Sequence, residues 1–506
     1  MHDAHAADAT RHCLAGIILL LAAYAVAAVA GWPQHGRDLL VGAQAAHGDH
    51  AGAAPPVAMV LPFCLLLAAI AILPLTPRWS HWWEHNSSKL LVAGGLGLVT
   101  LLYYLFFHRH AVDLHFPTHA VVGPAASGPS WGVAGAVLAN AFLSEYVPFI
   151  VLLFALYVIT GGVRIEGDLV ATPTVNTAFL GIGAVAASFI GTTGAAMLLV
   201  RPLLETNRER RHVAHTLVFF IFLVCNCGGC LLPIGDPPLF LGYLEGVDFL
   251  WTLNLWKPWL FTNATLLAIY WAWDTFYAHP REAAPDVARD ESQTTRLRIS
   301  GLLPNAPLMA AVIAAVALLD PSKAVPGTAW HPWMFLREAT LLALVAASIV
   351  LGSPDVRRRN GFSFGAILEV AALFVGIFVC MQPALALLHE RGASLGIDSA
   401  RAFFWATGAL SSVLDNAPTY LVFFKTAQAL PAVGATMADV AVDRLAAISL
   451  GAVFLGAMTY IGNGPNFMVK AIAEQAGVRM PSFFGYLLYS FGVLLPVFAA
   501  MSFLFL

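Results

Sequence analysis

Long apolar runs separated by short polar connectors fill almost the whole chain. A helix needs about 20 apolar residues to cross a bilayer. By that measure the pattern predicts spans near 13–31, 57–75, 89–107, 133–160, 213–247, 249–275, 300–319, 333–351, 364–386, 441–475 and 483–503. Two further apolar segments, 176–203 and 402–429, stand apart for a reason of charge. Two of the runs carry the same interruption. Ile234-Gly235-Asp236-Pro237-Pro238-Leu239-Phe240 corresponds to Ile461-Gly462-Asn463-Gly464-Pro465-Asn466-Phe467. Gly and Pro break helices, and in lipid a broken helix is tolerated only against protein or a cavity. Paired breaks in two halves of a chain point to the substrate site of a secondary transporter.

Basic residues mark the cytoplasmic side. The densest clusters are Arg208 with Arg210 and Arg211, then Arg289, Arg296 and Arg298, then Arg357, Arg358 and Arg359. If 176–203 and 402–429 each crossed once, these clusters would fall on opposite sides. Read as re-entrant hairpins, they place all three clusters inside and the His-rich loops 32–56 and 108–130 outside. The N-terminus is then cytoplasmic and the C-terminus extracytoplasmic, in a bacterial-type cytoplasmic (inner) membrane. The first run follows Arg11 and ends in small Ala residues, as a signal peptide does. It shows no clear cleavage site and is read as a retained span.

The expected fold is an all-α polytopic membrane protein, with about 11 transmembrane helices and two re-entrant hairpins in two inverted repeats. Residues 1–130 hold N-terminal spans and His-rich extracytoplasmic loops. Residues 131–275 form the first repeat, with hairpin 176–203. The polar segment 276–299 is a cytoplasmic linker. Residues 300–506 hold scaffold spans and the second repeat, with hairpin 402–429.

Composition agrees. The chain is 59% hydrophobic and 11% charged, against roughly 25% charged in soluble domains. No basic patch interleaved with aromatics suggests a nucleic-acid partner; the lipid bilayer is the expected one. The six cysteines fall in or beside apolar runs, so a disulfide framework is not expected. Cys225-Asn226-Cys227-Gly228-Gly229-Cys230 reads as small residues for close helix packing rather than a metal site. The loop histidines, among them His47, His50, His108, His110, His115 and His119, read as solvated, with a pH-sensing role as the alternative.

The repeat carries the chemistry. Gly191-Thr192-Thr193-Gly194 begins 46 residues after Glu145, and Asp236 lies 45 beyond Gly191. In the second half, Asp415 lies 46 residues after Glu369, and Asn463 lies 48 further on. Asp236 and Asp415 are the leading candidates, because an intramembrane charge is costly and marks ion paths. An Asp beside Pro can also be only a turn or cap; two at duplicated breaks favour function. Asn416, Asn463, Asn466, Thr192, Thr193 and Thr419 supply neutral oxygens nearby, hard ligands of the kind alkali cations accept. Glu145 and Glu369 are candidate proton-coupling groups, with an interfacial Glu as the plain alternative. Arg201 and Lys425, on the far hairpin arms, read as snorkelling bases.

With these motifs in place, the chain resembles the ion transporter superfamily. Leu414-Asp415-Asn416-Ala417-Pro418-Thr419 and Ile234-Gly235-Asp236 are most similar to NhaD-type sodium/proton antiporters, in the branch often labelled citrate transporters. The resemblance covers roughly residues 57–506. It implies inverted repeats, hairpin tips meeting near mid-membrane, and a homodimer working by an elevator motion. It also implies that Asp236, Asp415, Asn416 and Asn463 line the metal-ion site. Carboxylate-carrying relatives use Ser-Asn-Thr at the tip and break. Here Gly-Thr-Thr-Gly and Asp-Asn-Ala-Pro stand instead, which favours a cation-only site.

The expected function is exchange of Na⁺ (or Li⁺) for H⁺, with Asp236, Asp415, Glu145 and Glu369 handling protons and no cofactor beyond the transported ions. The alternative is a cation-coupled symporter of citrate or another carboxylate or oxyanion. An intramembrane enzyme is not expected. The sequence lacks a His-Glu-x-x-His motif.

Overall fold

The computed structural model describes all residues except 1, 45–53, 77, 115–119, 293 and 433. His47, His50, His115 and His119 lie outside the described residues. The described chain is mainly helical and divides into two compact units: Met1–Gly162 with Leu303–Gly392, and Val163–Leu302 with Ala393–Leu506.

In the first unit, helix Asn86–Phe106 packs along helix Gly365–Cys380. Small residues permit the contact: a Cβ on Gly376 would lie 2.4 Å from the Ala93 carbonyl oxygen. Lys89 is buried and pairs with Glu369 at 2.7 Å. The apolar stretch Trp131–Thr160 is helical throughout, with a π-helical turn at Asn140–Tyr146 that contains Glu145. Its last segment, Val147–Thr160, packs on Leu336–Leu351. Arg357 closes this end of the unit. Its guanidinium donates to the carbonyls of Val158 (2.5 Å) and Ser348 (3.0 Å) and to Ser348 Oγ (2.6 Å). Both carbonyls lie in the last turns of their helices, where the dipole favours a cation.

Two expectations about this unit change. Residues Trp32–Gln44, expected as part of a loop, form an amphipathic helix. His108, expected in solvent, is 3% exposed and packs on Tyr103 and Tyr104. Burial, reinforced by His110, holds its pKa down at about 4, so it is neutral near pH 7.

The second unit begins with strand β1, Arg164–Asp168, antiparallel to β2, Thr295–Ser300, with Ile165 opposite Ile299. A bulge falls at Gly167, whose φ of +147° and close approach to the Leu297 backbone exclude a side chain. Between them run α1 (Pro173–Ile190), α2 (Thr192–Thr206), α3 (Ala214–Leu223), α4 (Pro237–Leu244), α5 (Trp256–Trp273) and α6 (Ala284–Ser292). After the excursion into the first unit follow α7 (Ala400–Ser411), α8 (Asn416–Gln428), α9 (Val442–Leu455), α10 (Gly464–Gln475) and an apolar C-terminal helix, Phe483–Phe505.

Helices α1 and α2 pack together and turn at Gly191, φ +80°. An Asn176–Asn207 amide pair, 2.8 Å in each direction, ties their open ends. Thr172 caps α1 by accepting the Val175 N–H. Helices α7 and α8 are the second such pair, turned at residues 412–415. The runs 213–247 and 441–475 are indeed broken: α3 stops at Leu223 and α4 starts at Pro237, while α9 stops at Leu455 and α10 starts at Gly464. Both breaks close by backbone contact. A Cβ on Gly235 would lie 2.4 Å from the Gly229 oxygen, and one on Gly462 2.6 Å from the Gly456 oxygen.

Among the described residues, five helices are long and apolar enough to cross a membrane: Asp8–Val29, Asn86–Phe106, Trp131–Thr160, Pro173–Ile190 and Phe483–Phe505. The pair Gly365–Cys380 and Gln382–Leu395, bent by 42°, makes a sixth if it is one span. One of the five, Pro173–Ile190, lies in the segment expected as the first hairpin. Of the other expected spans, several are split by Gly and Pro or hold shorter helices, as in Leu302–Leu318 and Leu336–Leu351. An apolar run sets how much chain can lie in lipid; its breakers decide how much is one helix.

Candidate functional site

The second unit gathers four helix starts around one carboxylate. Asp236, 1% exposed, is the residue before α4. Its Oδ1 accepts from Thr192 Oγ1 at 2.8 Å and from Asn463 Nδ2 at 3.2 Å. Its Oδ2 accepts from Asn416 Nδ2 at 2.6 Å. Thr192 opens α2, Asn416 opens α8, and Asn463 precedes α10. The second broken helix and each helix pair therefore send one polar side chain to Asp236, which the first broken helix carries. The Thr192 N–H also donates to the Gly235 carbonyl at 2.8 Å, which locks the first tip against the first break.

The electrostatics follow from this placement. Burying an uncompensated carboxylate costs several kcal/mol. Among the described residues no Lys, Arg or His pairs with Asp236. Three neutral donors do, and each helix start carries roughly half a positive charge. Four such ends offset about two carboxylates. The second is Asp415, half-buried, whose Oδ1 caps α8 by accepting the Ala417 N–H at 3.0 Å. Thr419 Oγ1 donates back to the Asp415 carbonyl at 2.9 Å.

A second layer holds the amides. Asn463 Nδ2 also donates to the Cys225 carbonyl (3.0 Å) and Asn226 Oδ1 (3.3 Å). Asn226 Nδ2 donates to the Ile221 carbonyl and to Asn466 Oδ1, both at 2.8 Å. Asn466 Nδ2 ends the chain on the carbonyls of Gly456 (2.8 Å) and Thr459 (2.9 Å). One atom is left over: Asn416 Oδ1 is buried without a hydrogen-bond partner. A bare amide oxygen beside a carboxylate suits a hard cation.

Of the residues singled out in the sequence, Asp236, Thr192, Asn416 and Asn463 meet directly. Asp415 and Thr419 stand at the adjoining cap, and Asn466 joins through Asn226. Thr193 is half-buried and is not among the groups bonded to Asp236. Glu145 and Glu369 belong to the first unit, where Glu145 Oε1 accepts from Gln382 Nε2 at 3.3 Å and Glu369 pairs with Lys89. Lys425 pairs with Glu245 rather than standing alone.

Asn226, Ser188 and Lys89 were missed. Asn226 lies inside the Cys-rich run, whose cysteines are buried and free. Close packing holds there as expected: a Cβ on Gly228 would lie 2.5 Å from the Ala184 oxygen. A lone amide within an apolar run was the available signal. Ser188 stands one turn before the first tip and donates to the Gly228 carbonyl at 2.5 Å. Ser411, one turn before Asp415, likewise donates to the Ala452 carbonyl at 2.7 Å.

Apolar helices of crossing length, two broken helices and a buried acid held by their starts define an integral membrane protein of the transporter class. Residues 52–506 match the family described as "Putative citrate transport", and the chain belongs to that family. No curated protein matches the chain.

Proposed function

We propose that the protein exchanges Na⁺ (or Li⁺) for H⁺ across a bacterial-type cytoplasmic membrane, as a homodimer moving by an elevator-type alternating-access motion. Inverted repeats with hairpins at 176–203 and 402–429 and about eleven spans belong to the same reading. The observation that carries it is Asp236, a buried carboxylate with neutral donors only. Such a group is held ready for a mobile cation.

Asp236 and Asp415 bind either protons or the metal ion. Asn416 Oδ1 and Asn463 supply neutral oxygens, and Thr192 orients the acid. Competition for the same oxygens couples the two fluxes. Of the two glutamates, Glu145 is the stronger proton-coupling candidate: it lies in a π-helical turn, a feature frequent at functional sites. Glu369 already has a cation beside it.

A second reading, cation-coupled symport of citrate or another carboxylate, draws on the family description. The four helix starts favour it too, since such ends bind anions once the acids are protonated. Labelled citrate uptake into proteoliposomes under a Na⁺ gradient separates the two. Antiport predicts no uptake; accumulation abolished by Asp415→Asn would replace antiport with symport.

A further inference from the structure

The polar segment between α5 and β2 is the expected linker. It carries Asp290, which the fold places against two other acids. Asp168 ends β1, Glu209 lies in the turn after α2, and Asp290 lies on α6. Each offers a carboxylate oxygen within 4.8 Å of the other two. Acidic clusters alone are common; in this one Asp290 is buried and the other two acids are half-buried. Asp290 is 6% exposed. Its Oδ2 accepts the Ala171 N–H at 2.8 Å, while its Oδ1 is buried with no hydrogen-bond partner. Asp168 Oδ1 and Glu209 Oε2 are likewise buried and unpartnered.

The surrounding bases do not satisfy these oxygens. Arg210 is committed to Asp274 and Glu282. Arg208 is exposed beside Glu205. Glu205 and Glu291 add further negative charge. The backbone is pinned on each side: Asp168 N–H donates to Thr295 Oγ1 at 2.9 Å, and Arg210 Nη1 to the Ala171 carbonyl at 3.3 Å. A cavity of about 90 Å³, lined in part by Ala171, Glu209 and Asp290, adjoins the group. A water needs roughly 10–15 Å³, so several can complete a coordination shell.

We propose that Asp168, Glu209 and Asp290 bind a divalent hard cation, Ca²⁺ in first place, which fastens the inter-half segment to the base of the first helix pair. Three carboxylates and water are an oxygen-only donor set. Ca²⁺ accepts a larger and more flexible shell of oxygens, whereas Mg²⁺ demands a near-ideal octahedron and gives up its waters reluctantly. The site is independent of which ion is exchanged at Asp236.

The test uses the purified full chain in detergent and Mn²⁺ as the probe, followed by electron paramagnetic resonance. The expected result is one bound Mn²⁺, displaced by Ca²⁺ and retained in Asp236→Asn. Asp290→Asn should weaken it by about tenfold or more, since affinity follows ligand charge. Should that variant misfold, Glu209→Gln, in the turn, must show the same loss. Mn²⁺ binding unchanged in both variants, or lost in Asp236→Asn, overturns the site. Displacement by Mg²⁺ in preference to Ca²⁺ overturns the Ca²⁺ assignment.

Discussion

Asn416 donates to Asp236 at 2.6 Å across 180 residues of chain, and so joins the tip of the second helix pair to the break of the first long helix. The oxygen of the same amide is buried without a hydrogen-bond partner. A residue placed this way both holds the acid and presents a ligand.

Asn416→Ala should therefore raise the Na⁺ concentration for half-maximal exchange by about 10–100-fold, since a bond to a charged group contributes roughly 1.5–3 kcal/mol. Maximal rate should fall less. Initial rates against Na⁺ in proteoliposomes measure both; an unchanged half-maximal concentration removes Asn416 from the ion shell.

The breaks make a stability prediction with its own control. Gly235→Ala and Gly462→Ala each push a methyl into backbone at 2.4 and 2.6 Å, whereas Gly464→Ala meets nothing within 4 Å. The first two should lose several kcal/mol or fail to fold; the third should behave as wild type. Thermal denaturation in detergent, followed by gel filtration, reads the difference. Equal melting of Gly235→Ala and Gly464→Ala would contradict the closed break.

The Lys89–Glu369 pair joins a buried ammonium to a half-exposed carboxylate. Removing Glu369 alone leaves the lysine uncompensated, which is costly. Glu369→Gln should lower the melting temperature, and Lys89→Met in the same chain should restore most of it. A double-mutant cycle with no coupling would make the pair incidental. By contrast, Glu145→Gln should shift the pH profile of exchange while leaving stability near wild type.

His108 gives a pH prediction. Its pKa falls from 6.5 to about 4 because burial, and secondarily His110, disfavour the charged ring. The unfolded chain then binds more protons between those values, so stability rises with pH there. The contribution is full above about pH 6.5 and is lost as pH falls toward 4. His108→Gln should flatten that part of the stability curve and leave exchange between pH 7 and 8 unchanged. An altered exchange profile in that range would make His108 a sensor.

Much of the site was legible because it rests on local rules. Gly and Pro in apolar runs marked the breaks around Asp236 and Asn463. Partners supplied by folding were not legible. Nothing in the order of residues says that Asn226 bridges Asn463 and Asn466, or that Lys89 meets Glu369. The helix ends were not legible for the same reason: hydropathy sums over a run, while Pro237 and Gly464 decide where one helix stops. The burial of Asp290 was not legible either, because it comes from β1, α2 and α6 folding together.

The most direct measurement is collapse of a respiration-driven pH gradient in everted vesicles on adding NaCl, LiCl or KCl. The account predicts alkalinisation of the acidic interior with Na⁺ or Li⁺. The half-maximal cation concentration should rise up to about tenfold per unit fall in pH, as competition for one set of oxygens requires. The response should be absent in Asp236→Asn and Asp415→Asn proteins that still insert. A wild-type response in Asp236→Asn, or none to any cation from an inserted wild-type protein, would contradict it.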